Sequence, residues 1–247
     1  MTKQSFLDQF YILADEVGDL SAPGITPAEL SIIASKAQED LAVTKYSPKS
    51  NKLQEGFEET EKRIQDLGEL VAYKTYSTFT PSFFTNSVEI VLPNTLITSG
   101  PTNFTDVYWF TIYEDTKCNV LDCTIANNTT VYVEPKINDV THGELKVAVK
   151  DPFRKPYIKG NDGKVLRVRA EGRKHILITD GTFTITEYKI GYVKKPLPID
   201  LTTTLTDQVS QLADPVHKEL LSATVAEYFK ITQQTQSLQI DTITPRE

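Results

Sequence analysis

The chain has 247 residues and a mass of 27.7 kDa, long enough for one large domain or two small ones. Its 39% hydrophobic, 24% charged and 9% aromatic content excludes a disordered tail, a collagen-like fibre and a disulfide scaffold. A formal net charge of −7 argues against general affinity for nucleic acid.

The chain opens with a helix. Phe6, Phe10, Leu13 and Val17, flanked by Leu7, Tyr11 and Ala14, recur at helical spacing until Gly18 and the Ser21-Ala22-Pro23-Gly24 cluster stop them. A second helix carries a full set of start signals: Thr26 as N-cap, Pro27 at the first helical position and Glu29 closing a capping box. Its apolar face runs through Leu30, Ile33, Ala34, Ala37 and Leu41, and residues 43–51 read as a polar connection. A third helix is expected over about 53–73, with Phe57, Ile64, Leu67 and Val71 on one face. Glu55, Glu58, Glu59 and Glu61 lie on the other, which is either solvated or turned to a partner.

After residue 74 the period changes to 2. Val88, Ile90 and Leu92 alternate with polar residues up to Pro93-Asn94, and 129–133 is a further short strand. In 107–113 nearly every residue is a strong strand former, as suits a strand buried on both faces or covered by a partner subunit. Asn161-Asp162-Gly163 reads as a turn into a strand over 164–170. Asp180-Gly181 reads as a two-residue hairpin turn that sets Ile178 opposite Phe183, Ile176 opposite Ile185 and Lys174 opposite Glu187.

Lys195-Pro196-Leu197-Pro198 ends the strands. A last helix starts at Asp214-Pro215, with Leu221, Val225, Tyr228 and Phe229 as its stripe. The Gln/Thr-rich residues beyond 232 read as an extended tail. The fold class is therefore α+β: a helical region over 1–74, a β-rich region over 75–200, a C-terminal helix over 201–232 packing on the first region, and a tail over 233–247.

Charge is unevenly spread. Residues 144–174 hold ten Lys or Arg against four acids, a net +6 that leaves −13 for the rest. Such a segment is either a solvated loop and strand face or a surface for an acidic neighbour or, locally, nucleic acid.

Motifs that carry chemistry are scarce. His142, His175 and His217 belong to no metal-binding spacing, and Cys118 and Cys123 lack the further ligands of a tetrahedral site. No phosphate-binding glycine loop and no nucleophile elbow occurs. Asn103-Phe104-Thr105 and Asn128-Thr129-Thr130 match the glycosylation pattern, which has no meaning without a secretory signal. No run approaches the roughly 18 apolar residues of a membrane span, and two cysteines suggest a reducing compartment or a stability that needs no bridges. The expectation is a soluble, intracellularly made protein with no catalytic, cofactor-binding or metal residues, no cofactor and no membrane contact.

Four short motifs occur in a recognisable order. Ile25-Thr26-Pro27-Ala28-Glu29-Leu30 feeds Lys36-Ala37-Gln38-Glu39, and Asp151-Pro152-Phe153-Arg154-Lys155-Pro156 lies mid-chain. Tyr192-Val193-Lys194-Lys195-Pro196 ends a strand, and Asp214-Pro215-Val216-His217-Lys218-Glu219-Leu220 starts the last helix. Together, over about residues 20–230, they resemble virion structural proteins of tailed phages of Bacteroidetes, the crAss-like phages among them. The layout is also similar to the gatekeeper and tail tubular proteins of short-tailed phages. The resemblance implies a head–tail connector or tail ring subunit (adaptor, gatekeeper-like), linking portal to lower tail proteins and lining or sealing the DNA channel. It further implies a homo-oligomeric ring, commonly twelve-fold, in a virion assembled in the host bacterial cytoplasm, with genomic DNA passing and no sequence-specific binding.

For such a ring the candidate contacts are Arg154, Lys155 and Lys159 of one subunit against Glu55, Glu58 and Glu59 of the next, with Tyr108 and Trp109 as further contacts. An alternative from another class is a tail-tip or host-surface binding β module, in which Tyr108, Trp109 and Tyr113 form a platform. A third, weaker one is a hydrolase in which His142, His175 and nearby acids converge.

Overall fold

The computed structural model describes residues 1–18, 24–47, 61–97, 104–121, 130–160, 162–170 and 173–243. In chain order come α1 (Lys3–Gly18), α2 (Pro27–Tyr46), α3 (Glu61–Leu67) and a 3-10 turn (Gly68–Leu70). Strands follow: β1 (Val71–Tyr76), β2 (Thr80–Pro81), β3 (Ser87–Val91), β4 (Asn94–Ile97), β5 (Phe104–Leu121), β6 (Thr130–Val133) and β7 (Lys136–Asp139). After α4 (His142–Ala148) come β8 (Tyr157–Lys159), β9 (Asp162–Ala170), β10 (Lys174–Ile178), β11 (Phe183–Lys194) and finally α5 (Val216–Ile243). The architecture is mixed α+β, with helices at both ends and two sheets between them. The chain divides into two compact units, Met1–Leu70 with Lys195–Glu247, and Val71–Lys194.

In the helical unit the stripes read from sequence meet one another. Phe6, Leu7, Phe10 and Ala14 of α1 pack with Leu30, Ala34 and Ala37 of α2 and with Leu220, Leu221, Val225 and Tyr228 of α5. Phe10 meets Tyr228 edge to face at 5.5 Å. The Thr26–Glu29 capping box forms in both directions, satisfying two of the orphan donors at the start of α2. Residues 195–215 cross this unit without regular structure, so α2 side chains serve their backbone. Ser35 Oγ accepts from Ile199 N at 2.9 Å, Ser31 Oγ accepts from Leu201 N at 3.0 Å, and Gln38 Nε2 donates to Leu197 O at 2.8 Å. Buried Lys45 pairs with Asp66 at 2.5 Å and Glu219 at 2.7 Å, tying α2 to α3 and α5.

In the β unit a five-stranded sheet has the order β1-β11-β5-β4, with β6 also on β5. A six-stranded sheet has the order β2-β3-β10-β9-β7, with β8 also on β9. Between them lies a core of Ile90, Leu92, Cys118, Val165, Leu177, Phe183, Ile185, Tyr188, Ile190 and Tyr192. On the other face of the six-stranded sheet Leu166, Val168, Ile176 and Ile178 pack under Leu145 and Ala148 of α4. This makes a three-layer unit, with β9 and β10 buried on both faces.

Four expectations are corrected. The hairpin at Asp180-Gly181 does not form: both edges of β10 are already taken, by β3 and β9, while β11 pairs with β1 and β5 in the other sheet. Asp180 lacks the positive φ that a type I′ turn demands at both central positions, although Gly181 has it (φ 87°). Asp180 Oδ1 instead accepts from Thr182 N at 2.9 Å, and Thr179 N donates to Asn86 O, so the segment carries the chain from one sheet to the next. Lys174 meets Glu89 at 2.8 Å, and Glu187 meets Lys189 at 3.0 Å.

The third helix ends at Leu67, because Val71-Ala-Tyr-Lys-Thr-Tyr76 prefers a strand and finds β11 in register from Val71↔Val193 to Tyr76↔Tyr188. The second helix runs on to Tyr46 instead of yielding to a connection at 43. At the other end α5 continues to Ile243, where an extended tail was expected from 233. Gln is a good helix former and no Gly or Pro interrupts 216–243, so propagation costs little once the helix is nucleated.

Candidate functional site

A charged constellation in the β unit lies between the sheets. Glu114 comes from β5, Asp139 from β7, Arg167 and Arg169 from β9, His175 from β10 and Tyr188 from β11. Arg167 is buried and forms ion pairs with Glu114 and, at 3.0 Å, with Asp139; Arg169 reaches Asp139 at 3.3 Å. The Tyr188 hydroxyl lies 2.8 Å from His175 Nδ1, and Glu114 Oε1 stands 3.5 Å from the same nitrogen, close enough for the hydroxyl and the carboxylate to influence one another. The network thus runs His175 to Tyr188 to Glu114 to Arg167 to Asp139 and ties one sheet to the other.

Burial dominates its electrostatics. It lowers the His175 pKa to about 3, with Arg167 and Arg169 adding to the effect, so the ring is neutral. It raises Tyr188 well above the ordinary phenol range, and it raises Glu114 against the opposing pull of Arg167. For Arg167 burial alone would lower the pKa, but Glu114 and Asp139 outweigh it and hold the guanidinium charged.

A groove of about 640 Å³ opens beside Glu114, Asp139, Arg167 and Arg169. His175, at 2% exposure, does not line it. The imidazole has no path to a substrate, and the groups are paired with one another. The arrangement holds sheets together; it is not a general acid–base pair. Sequence reading passed over Arg167, yet a signal existed: it shares strand parity with the fully buried Val165.

The expected contact residues lie in different settings. Arg154 and Lys155 are exposed in the turn after α4, Arg154 standing 3.8 Å from Glu144, and Lys159 is exposed at the end of β8. Glu55, Glu58 and Glu59 lie outside the described residues. Tyr108 turns inward, its ring 5.8 Å from His175 and 5.9 Å from Tyr192. Trp109 is half-buried and stacked on Phe110 at 4.5 Å, and of the three aromatics only Tyr113 is exposed. Tyr108, Trp109 and Tyr113 therefore do not make one open platform. The basic 144–174 segment is also not one surface, since Arg167 is interior.

His142 is exposed at the start of α4, with its ring 6.2 Å from Phe84, and His217 is buried in the first turn of α5. Cys118 is a buried free thiol whose pKa burial pushes up to about 12, and Cys123 lies outside the described residues. Among the described residues no group of three or more His, Cys, Asp or Glu could hold a metal ion. Among the same residues no helix is long and apolar enough to cross a membrane.

Comparison with known proteins supplies the identity that the side chains do not announce. The family described as phage tail ring protein 3/4 matches residues 1–236. The chain is also similar to ring protein 4/5 of Bacteroides phage crAss001, 24% identical over 210 residues, which span 84% of this chain and 78% of that protein. The match covers nearly all of both units, and so the chain belongs to the tail ring protein 3/4 family of crAss-like phages, a structural component of the virion tail and not an enzyme.

Proposed function

We propose that this ring protein sits at the head–tail junction, in a twelve-fold ring that links the portal to the lower tail proteins and lines or seals the channel through which genomic DNA passes. The observation that carries the reading is the separation of charge between the units. The helical unit holds 11 Lys and Arg against 20 Asp and Glu, and the β unit 15 against 13. A cyclic ring needs two different surfaces on each subunit that fit one another, and opposite charge on two units is one way to supply them. Arg154, Lys155 and Lys159 are then the basic side of the contact, and Glu55, Glu58 and Glu59 of the neighbouring copy its acidic side.

The test is a quantitative mass-spectrometric inventory of purified virions, normalised to the portal protein. A ratio near one copy per portal subunit is expected. A clearly lower ratio would favour a tail-tip or fibre component.

A further inference from the structure

We infer that Phe153 is the apolar anchor of the contact between copies, and that it seats in the groove between α2 and α5 of the next subunit. The inference rests on the ring reading above and names the two surfaces that meet. Phe153 is 87% exposed, yet its turn is held from every side. Asp151 Oδ1 accepts from Phe153 N at 2.9 Å, Asp151 O accepts from Arg154 N and Lys155 N, and Lys164 Nζ donates to Phe153 O at 3.0 Å. Pro152 and Pro156 fix the backbone on either side. With the backbone already fixed, only the side chain's own two rotatable bonds remain to be ordered when a large exposed aromatic docks, which keeps the cost of binding low. Val147 and Val149, 61% and 43% exposed, extend the apolar surface, and Lys150, Arg154 and Lys155 surround it with positive charge.

The receiving surface has the complementary character. A groove of about 310 Å³ is lined mainly by Ile25, Ile32, Ile33, Tyr228 and Ile231, with Glu29 among its polar residues. Ile32 is 73% exposed and is not isolated, since it shares this groove with Ile25, Ile33 and Ile231 and so forms part of an apolar patch. The unit that carries this groove is the strongly acidic one. An apolar knob with a basic rim and an apolar groove on an acidic body cannot each meet their own kind. They fit as a heterologous pair, the type of contact that a closed ring requires.

The experiment places the photo-crosslinking phenylalanine analogue benzoylphenylalanine at position 153 of the full chain, with isotopically light and heavy copies mixed before irradiation. Crosslinked light–heavy peptides joining position 153 to the stretches containing Ile25–Ile33 or Ile231 are expected. Phe153→Asp and Ile32→Asp should each weaken assembly at least tenfold by native mass spectrometry while leaving the circular dichroism spectrum and melting curve unchanged. If rings form but position 153 crosslinks elsewhere on the chain or to another virion protein, the contact is overturned and the ring reading stands. If the unmodified chain stays monomeric, the ring reading falls and this contact with it.

Discussion

His175 Nδ1 lies 2.8 Å from the Tyr188 hydroxyl, and the two buried side chains belong to strands of different sheets. The imidazole is neutral in the folded chain, with a pKa near 3, but titrates near 6.5 when unfolded. Between these values the unfolded state binds more protons, so this group makes stability fall as pH drops, by up to about 1.4 kcal/mol per unit below 6.5. Arg167 and Arg169 press the ring further toward neutrality, while Asp139 opposes them. Glu114, raised by burial, contributes the opposite slope just above its ordinary range. Urea unfolding from pH 5 to 7.5 should therefore show a shallower pH dependence in His175→Phe than in the parent chain. Equal slopes would mean that the ring binds its proton equally well in the folded and unfolded states.

Arg167 and Glu114 test the worth of the buried pair. Removing one partner strands a charge between the sheets, so Arg167→Met should cost about 3–5 kcal/mol. Removing both, in Arg167→Met with Glu114→Leu, should recover much of that loss, because neither charge is left without its counterion. Equilibrium unfolding of the single and double variants reads the difference. A double variant as unstable as the sum of the two singles would show that the network matters through packing alone.

Gly191 stands opposite Tyr73 in the β1–β11 register, and a Cβ placed there would meet Tyr73 Cε1 at 2.8 Å. The Tyr73 ring is exposed and can swing away, but it would give up its cover over β11. Gly191→Ala is expected to destabilise by about 1 kcal/mol, and the penalty should shrink in a Tyr73→Ala background. A penalty unchanged by Tyr73→Ala would place the cost in the backbone.

Charge reversal at Arg154, Lys155 and Lys159 probes the proposed ring contact. All three side chains are exposed, so stability should change by no more than about 0.5 kcal/mol. Assembly into rings, followed by native mass spectrometry at low and physiological salt, should be impaired. Rings that form as readily in the triple variant would remove these residues from the interface.

Neighbouring residues settle among themselves where several elements begin. Thr26, Pro27 and Glu29 start α2 because a cap, a fixed φ and a reciprocal hydrogen bond act within one turn. The stripes of α1 and α5 and strands near 88–92, 129–133 and 164–170 follow from periodicity, strand-forming residues and turn signals that a short window contains. Which strands pair and which charges are interior depends instead on contacts between distant parts of the chain. Ile176 and Ile178 fit Phe183 and Ile185 equally well on paper, but β10 is buried on both faces. Alternation along it could not say that Ile176 and Ile178 turn toward α4 while Leu177 joins Phe183. Glu114 and Arg167 are 53 residues apart, and nothing local brings them together. A strand's partner and a buried charge's counterion are set by the free energy of closing the whole core, and no short stretch of sequence contains that.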